Sequence, residues 1–172
     1  MPDPYLPEVG SEPPTLMVHK PVGIDPADRS AMAAFLPRGQ ALTAILPLEP
    51  EAAGMQLMTR DPRLLRRIRD DANKLEQEFI VEVDGEIAPY GLNRLRHGLS
   101  FNGRNLPPIN ASWQNETRLR FALAGVQPGQ LVSMCSDVGL VVVAMKRIRI
   151  GRIPLAKLVP GDWRIIAENE KL

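Results

Sequence analysis

Arg118-Leu119-Arg120-Phe121-Ala122-Leu123-Ala124 sets apolar residues at every second position, the pattern of a strand with one buried face. Comparable segments flank it, at 109–113 on one side and at 140–145 and 148–153 on the other. Between them, residues 129–138 have the composition of a helix that stops at Gly139. Upstream, Phe79-Ile80-Val81-Glu82-Val83 reads as a strand closed by the turn signal Asp84-Gly85, and residues 89–97 as a short helix. Asp61-Pro62 offers an N-cap and a proline at the first helical position, and Leu64, Leu65, Ile68 and Ala72 then recur at helical spacing. A helix is therefore predicted over 61–73. Strands are predicted at 42–46 and 54–59 with a loop between them, a helix at 30–36, and a strand at 16–19 entering the turn Lys20-Pro21-Val22-Gly23. Leu155, Leu158 and Val159 read as apolar positions of a closing turn before Pro160. The sum predicts an α+β domain: a mostly antiparallel sheet with helices packed against it.

Bulk properties bound the function. The 172 residues make one domain with a tail, and 44% hydrophobic and 24% charged residues suit a globular chain with a real core. Residues 1–15 hold five prolines and few apolar residues, so they are expected to form a disordered tail ahead of a domain over 16–172. That start is acidic, unlike a signal peptide, and nothing apolar reaches the roughly 18 residues of a membrane span. A cytoplasmic location is the expectation. The single cysteine, Cys135, excludes an internal disulfide and a multi-cysteine zinc site. A net charge of +1 argues against a dedicated nucleic-acid binder, which normally carries surplus Lys and Arg to neutralise phosphates. The basic residues are nevertheless clustered, at Arg60, Arg63, Arg66, Arg67 and Arg69 and again at Lys146, Arg147, Arg149 and Arg152. Either cluster alone reads equally as the solvated face of a core element.

Taken by themselves, the residues offer little catalytic machinery. His19 and His97 have no Cys or carboxylate set at ligand spacing, so no metal is expected. No glycine-rich phosphate loop, nucleophile elbow or dinucleotide fingerprint is present. Glu49 and Glu51 lie two apart in a loop and read either as an acid/base pair or as plain solvated carboxylates.

Several strings, in order, resemble the bacterial ribosomal-RNA pseudouridine synthases that modify single uridines. His19-Lys20-Pro21-Val22-Gly23 resembles that family's opening K-P-x-G, and Gly54 through Asp61 its G-L-L-L-L-T-N-D strand. Glu78-Phe79-Ile80-Val81-Glu82-Val83-Asp84-Gly85 resembles E-Y-x-V-x-V-D-G. Gln130 to Met134, Gly139, Lys146-Arg147-Ile148-Arg149-Ile150-Gly151 and Leu155 follow the order Q-I-R-R-M, G, L-x-R-x-R-I-G, L, and Gly161-Asp162-Trp163-Arg164 resembles the terminal G-E-W-R. The match runs from about residue 15 to 166. It implies a long mixed, mainly antiparallel sheet with flanking helices and a central RNA cleft, and a reaction in which an aspartate attacks the nucleotide of a flipped-out uridine. It implies no cofactor or metal, RNA (ribosomal RNA in particular) as partner, no membrane, and a monomer.

Site residues carry over position by position. Glu49 stands where the family's catalytic aspartate would be. Lys20 is expected near RNA, Phe79 to stack on the target base, Gln130 in a pocket-lining segment, and Arg147 and Arg149 to hold phosphates. The catalytic loop departs from G-R-L-D-x-x-T-x-G: here it is Leu46-Pro47-Leu48-Glu49-Pro50-Glu51-Ala52-Ala53-Gly54. The longer Glu49 side chain shifts the carboxylate, and a displacement on the order of 1 Å costs about a hundredfold in rate. Both basic residues of Q-I-R-R-M are replaced, by Val132 and Ser133, which removes the cation that would keep the nucleophile ionised and oriented. Phe79 replaces a tyrosine but retains the capacity to stack, and Gln77 stands where lysine is common. The family's small N-terminal RNA-binding domain is expected to be missing. The reading is therefore a pseudouridine-synthase-like chain with degenerate catalytic motifs, expected to be inactive or nearly so. The alternatives are a working isomerase using Glu49, a non-catalytic RNA-binding protein of the same fold, and a protein-interaction module.

Overall fold

The computed structural model describes residues 13–38, 40–167 and 169–172. The expected tail lies mostly outside the described residues, and Thr15, assigned to it, is instead the first residue of a strand. The strands are β1 (Thr15–Lys20), β2 (Thr43–Ile45), β3 (Ala53–Thr59), β4 (Glu76–Asp84), β5 (Ser100–Phe101), β6 (Arg104–Asn105), β7 (Asn110–Trp113), β8 (Arg118–Ala124), β9 (Val141–Ile150), β10 (Ile153–Pro154) and β11 (Trp163–Ile165). The helices are α1 (Arg29–Met32), α2 (Pro62–Asp71), α3 (Gly91–Arg96) and α4 (Gln130–Asp137). The main sheet runs β11-β1-β3-β9-β4-β8-β7, with β2 on β3 and β10 on β9.

Two antiparallel halves meet at a seam. Among the described residues the β3–β9 pairing is the parallel one, and it is short: Ala53 and Gly54 oppose Lys146 and Arg147. The chain needs a glycine there. Gly54 has φ +107°, and a Cβ on it would stand 2.3 Å from the Arg147 carbonyl oxygen.

The halves bury differently, as their sequences dictate. β1 and β3 are continuous apolar runs buried on both faces, packed by α2 on one side and by the Met32 and Leu42 segment on the other. β4 and β8 alternate: Phe79, Val81, Leu119, Phe121 and Leu123 face the core under α3 and α4, and the intervening residues face outward. α2 starts as expected, with the Asp61 carboxylate accepting from the Arg63 N–H at 2.9 Å.

Three expectations are corrected. The separate strands at 140–145 and 148–153 are one strand, β9, which runs through Lys146-Arg147 because these side chains take opposite faces; the break comes at the Gly151-Arg152 turn into β10. The hairpin β5–β6 was not expected, although its turn is Asn102-Gly103, both at positive φ (52° and 76°). β11 was not expected either: the closing turn is followed by a strand that pairs with β1.

Candidate active-site pocket

At the seam the loop between β2 and β3 faces the start of α4 across a cavity of about 200 Å³. Its lining includes Glu49, Phe79, Gln77, Met145, Leu131 and Arg147. The loop is held by buried polar side chains. Gln56, fully buried, accepts from the Leu48 N–H and donates to the Ile45 and Leu57 carbonyls, each at 2.9 Å. Lys20, also fully buried, donates to the Pro21 carbonyl at 2.8 Å and the Pro50 carbonyl at 3.2 Å. Arg147 donates from Nη1 to the Leu46 carbonyl and from Nε to the Met55 carbonyl, both at 2.8 Å. The segment carrying Glu49 is thus anchored before, at and after the carboxylate, an arrangement that limits its freedom.

Arg147 is the central cation. Nη1 also donates to Gln77 Oε1 at 2.9 Å, while Nη2 is buried with no partner among the described residues. Burial pushes the guanidinium down to about 9, so it stays charged at neutral pH. Burying a cation with an unpartnered N–H is costly, which makes Arg147 the least satisfied polar group at this cavity. Lys20 is pushed down to about 8 by burial, with Asp25 and Glu51 opposing the shift and Arg147 adding to it.

Glu49 has a backbone partner. Its Oε1 accepts from the Gly129 N–H at 2.8 Å, and Gly129, at φ +79°, is the N-cap of α4. The helix dipole favours a carboxylate there. Where the family carries basic residues, Val132 is exposed and Ser133 half-buried, and among the described residues Glu49 makes no ion pair.

The structure brings together Glu49, Phe79 and Arg147. Lys20 lies behind the loop rather than in the cavity lining. Gln130 is buried too, its Oε1 accepting from the Gln127 N–H at 3.0 Å to close the turn before α4. Arg149 lies on the other face of the sheet, donating to Glu76 and Glu78. Arg120 joins it on Glu78, at 2.6 Å. Burial works against the charge on Glu78, but the bonds from Arg120 and Arg149 outweigh it and hold the carboxyl below its ordinary value. Cys135 is buried and its thiol is pushed up to about 12 by desolvation, which makes it inert. Gln56 was missed as a site residue, and the hydrogen bond from Arg147 to Gln77 was not foreseen although both residues were singled out. The available signal was a glutamine inside the otherwise apolar run Met55-Gln56-Leu57-Met58.

Among the described residues no helix is long and apolar enough to cross a membrane, and no cluster of three His, Cys, Asp or Glu could hold a metal ion.

No family model matches the chain. It is 23% identical over 159 residues to the dual-specificity RNA pseudouridine synthase RluF of Escherichia coli, covering 90% of this chain and 55% of that protein. It is 28% identical over 137 residues to the ribosomal large subunit pseudouridine synthase E of Xanthomonas campestris pv. campestris, covering 69% of this chain and 73% of that protein. The chain spans about half the length of the RluF relatives it matches. Among solved structures, a crystal structure of a pseudouridylate synthase superposes with a TM-score of 0.82 at 19% identity, over 91% of this chain and 71% of the other. The human RNA pseudouridylate synthase domain containing 1 gives 0.55 at 11% identity, over 91% of this chain and 80% of the other. The chain thus has the pseudouridine synthase fold and is similar in sequence to RNA pseudouridine synthases along most of its length.

Proposed function

We propose that this chain binds RNA by taking an extruded uridine into the Glu49–Phe79–Arg147 cavity, and that its isomerisation step is lost or very slow. The observation that carries this reading is the state of Glu49. By the sequence resemblance Glu49 stands for the aspartate, yet its carboxylate is tied to the Gly129 backbone N–H and lacks an ion-pair partner among the described residues. A nucleophile so held is displaced from the geometry an aspartate would have and has no ion-pair partner to orient it. The binding half is better furnished. Phe79 lines the cavity with the little of its ring that is exposed, 3%, and the unpartnered Arg147 Nη2–H is a donor that a uracil carbonyl would satisfy once the cavity opens to it. Ribosomal RNA is the substrate class the relatives' names point to.

Binding is tested by titrating single-stranded ribosomal RNA fragments against the protein and against Val126→Trp, a half-buried lining position where an indole fills the cavity. Tenfold or greater weakening by the substitution, with a log–log salt slope of about −0.7 per phosphate contact, is expected. Equal affinity of both proteins, or salt-independent binding, contradicts the proposal.

A second reading, a working isomerase, has one observation in its favour: Glu49, Phe79 and Arg147 line the same cavity. It predicts turnover that Glu49→Ala abolishes.

A further inference from the structure

A second cleft opens beside the first. Its cavity, about 230 Å³, is lined by Asn73, Phe101, Arg104, Asn105, Gln127 and Gln130 together with an apolar back wall. No acidic side chain contributes to it. Gln127 lines both cavities, so the two are neighbours across the turn that leads into α4.

The β5–β6 hairpin furnishes this cleft. Its two-residue Asn102-Gly103 turn leaves Phe101 and Arg104 as a directly opposed cross-strand pair, which puts ring and guanidinium on one face of the ribbon. The ring is only half-buried, and its edge stands 4.0 Å from where a Cβ on Gly129 would lie. Gly129 is the residue whose N–H holds Glu49, so the ring and the carboxylate both neighbour the same glycine. Arg104 is exposed and makes no ion pair among the described residues, whereas Arg118, Arg120 and Arg149 are each engaged by glutamates.

We infer that the hairpin cleft is a subsite for a nucleotide adjacent to the extruded uridine, with Phe101 stacking on its base and Arg104 meeting a phosphate. This rests on the RNA-binding reading above. The neighbouring amides, Asn73, Asn105 and Gln127, supply donors and acceptors for a base edge, the type of contact by which base-flipping proteins choose the flanking sequence. An unstacked base on an aromatic ring with an arginine beside it is the usual construction of a single-strand binding site.

The test uses a short single-stranded RNA with one central uridine, and the same RNA made abasic at the nucleotide on either side. Phe101→Leu is expected to weaken binding to the intact RNA about five- to tenfold. One of the two abasic RNAs should bind the unmodified protein about equally weakly, and on that RNA Phe101→Leu should cost nothing further. Arg104→Gln, at an exposed position, should make the salt slope shallower by about 0.7. Phe101→Leu binding like the unmodified protein, or losing affinity equally on intact and both abasic RNAs, overturns the subsite. An unchanged slope for Arg104→Gln overturns it too, and this holds even if the Phe101 variant fails to fold. Failure of the unmodified protein to bind any of these RNAs contradicts the RNA-binding reading itself, an outcome distinct from the others.

Discussion

The two faces of β4 and β9 carry charges of the same kinds under opposite arrangements. Outward, Glu76, Glu78 and Glu82 meet Arg118, Arg120 and Arg149, so these six charges are paired, and exposed Lys146 is left without an ion pair among the described residues. Inward, Arg147 is surrounded by carbonyls and an amide with one N–H left over, and Glu49 is held by a backbone amide. Arg147 and Arg149 are two apart in sequence, yet a register irregularity between Glu78 and Phe79 and the demands of their neighbours give them unrelated tasks. The contrast teaches that counting arginines does not locate an RNA site. What matters is which of them the fold has already neutralised.

The contrast can be broken most severely at the seam. Gly54→Ala drives a methyl into the backbone of β9 and demands positive φ of alanine, so a loss of about 4 kcal/mol or more, or failure to fold, is expected in denaturant unfolding. Arg147→Met leaves the Leu46 and Met55 carbonyls and Gln77 without a donor, at a cost of about 2–4 kcal/mol partly offset by removal of a buried charge. RNA affinity should fall with it in the same titration. On the outward face Glu78→Gln weakens the bonds from Arg120 and Arg149 to a largely buried carboxylate, at a cost of about 1–2 kcal/mol, but should change RNA affinity less than twofold, because the pairs face away from the cavity. A large loss of RNA binding in Glu78→Gln would erase the distinction between the faces.

The smallest effects are in pH. The Glu78 carboxyl lies below its ordinary value, and Glu170, bonded by Arg164 and the Ala167 N–H, is held down to about 2. Carboxyls depressed in the folded state stabilise it above their ordinary range, and that contribution is lost as pH falls from about 4.5 towards 2. Lys20 has the opposite signature. With its folded value lowered from 10.5 to about 8, the unfolded chain binds more protons between those limits, so stability should rise as pH climbs through that window. Chemical denaturation between pH 8 and 9, below the range in which Arg147 and Cys135 contribute, should show the rise in the unmodified protein and lose it in Lys20→Met.

Much of the fold was legible. Period-two alternation in 118–124 and the continuous apolar run at 54–59 distinguished a half-open strand from one buried on both faces, and Asp61-Pro62 marked the start of α2. What escaped depended on partners remote in sequence. Lys146-Arg147 looked like a strand boundary because nothing local says that a guanidinium will find the Leu46 and Met55 carbonyls some 100 and 90 residues away. The same holds at the site. Glu49, Phe79 and Arg147 do converge, but Lys20 and Gln130, read as RNA contacts, are buried against backbone carbonyl and amide groups, and Arg149 is engaged by glutamates on the opposite face. Resemblance identified positions; only the packing around each one indicates what its side chain is free to do.

The most direct test of the central claim is tritium release from RNA whose uridines are labelled at the ring carbon that becomes glycosidic, with Glu49→Ala run beside the unmodified protein. The account predicts that the unmodified protein binds the RNA and releases no more tritium than Glu49→Ala does. Release by the unmodified protein that disappears in Glu49→Ala would contradict it and establish a working isomerase built on glutamate.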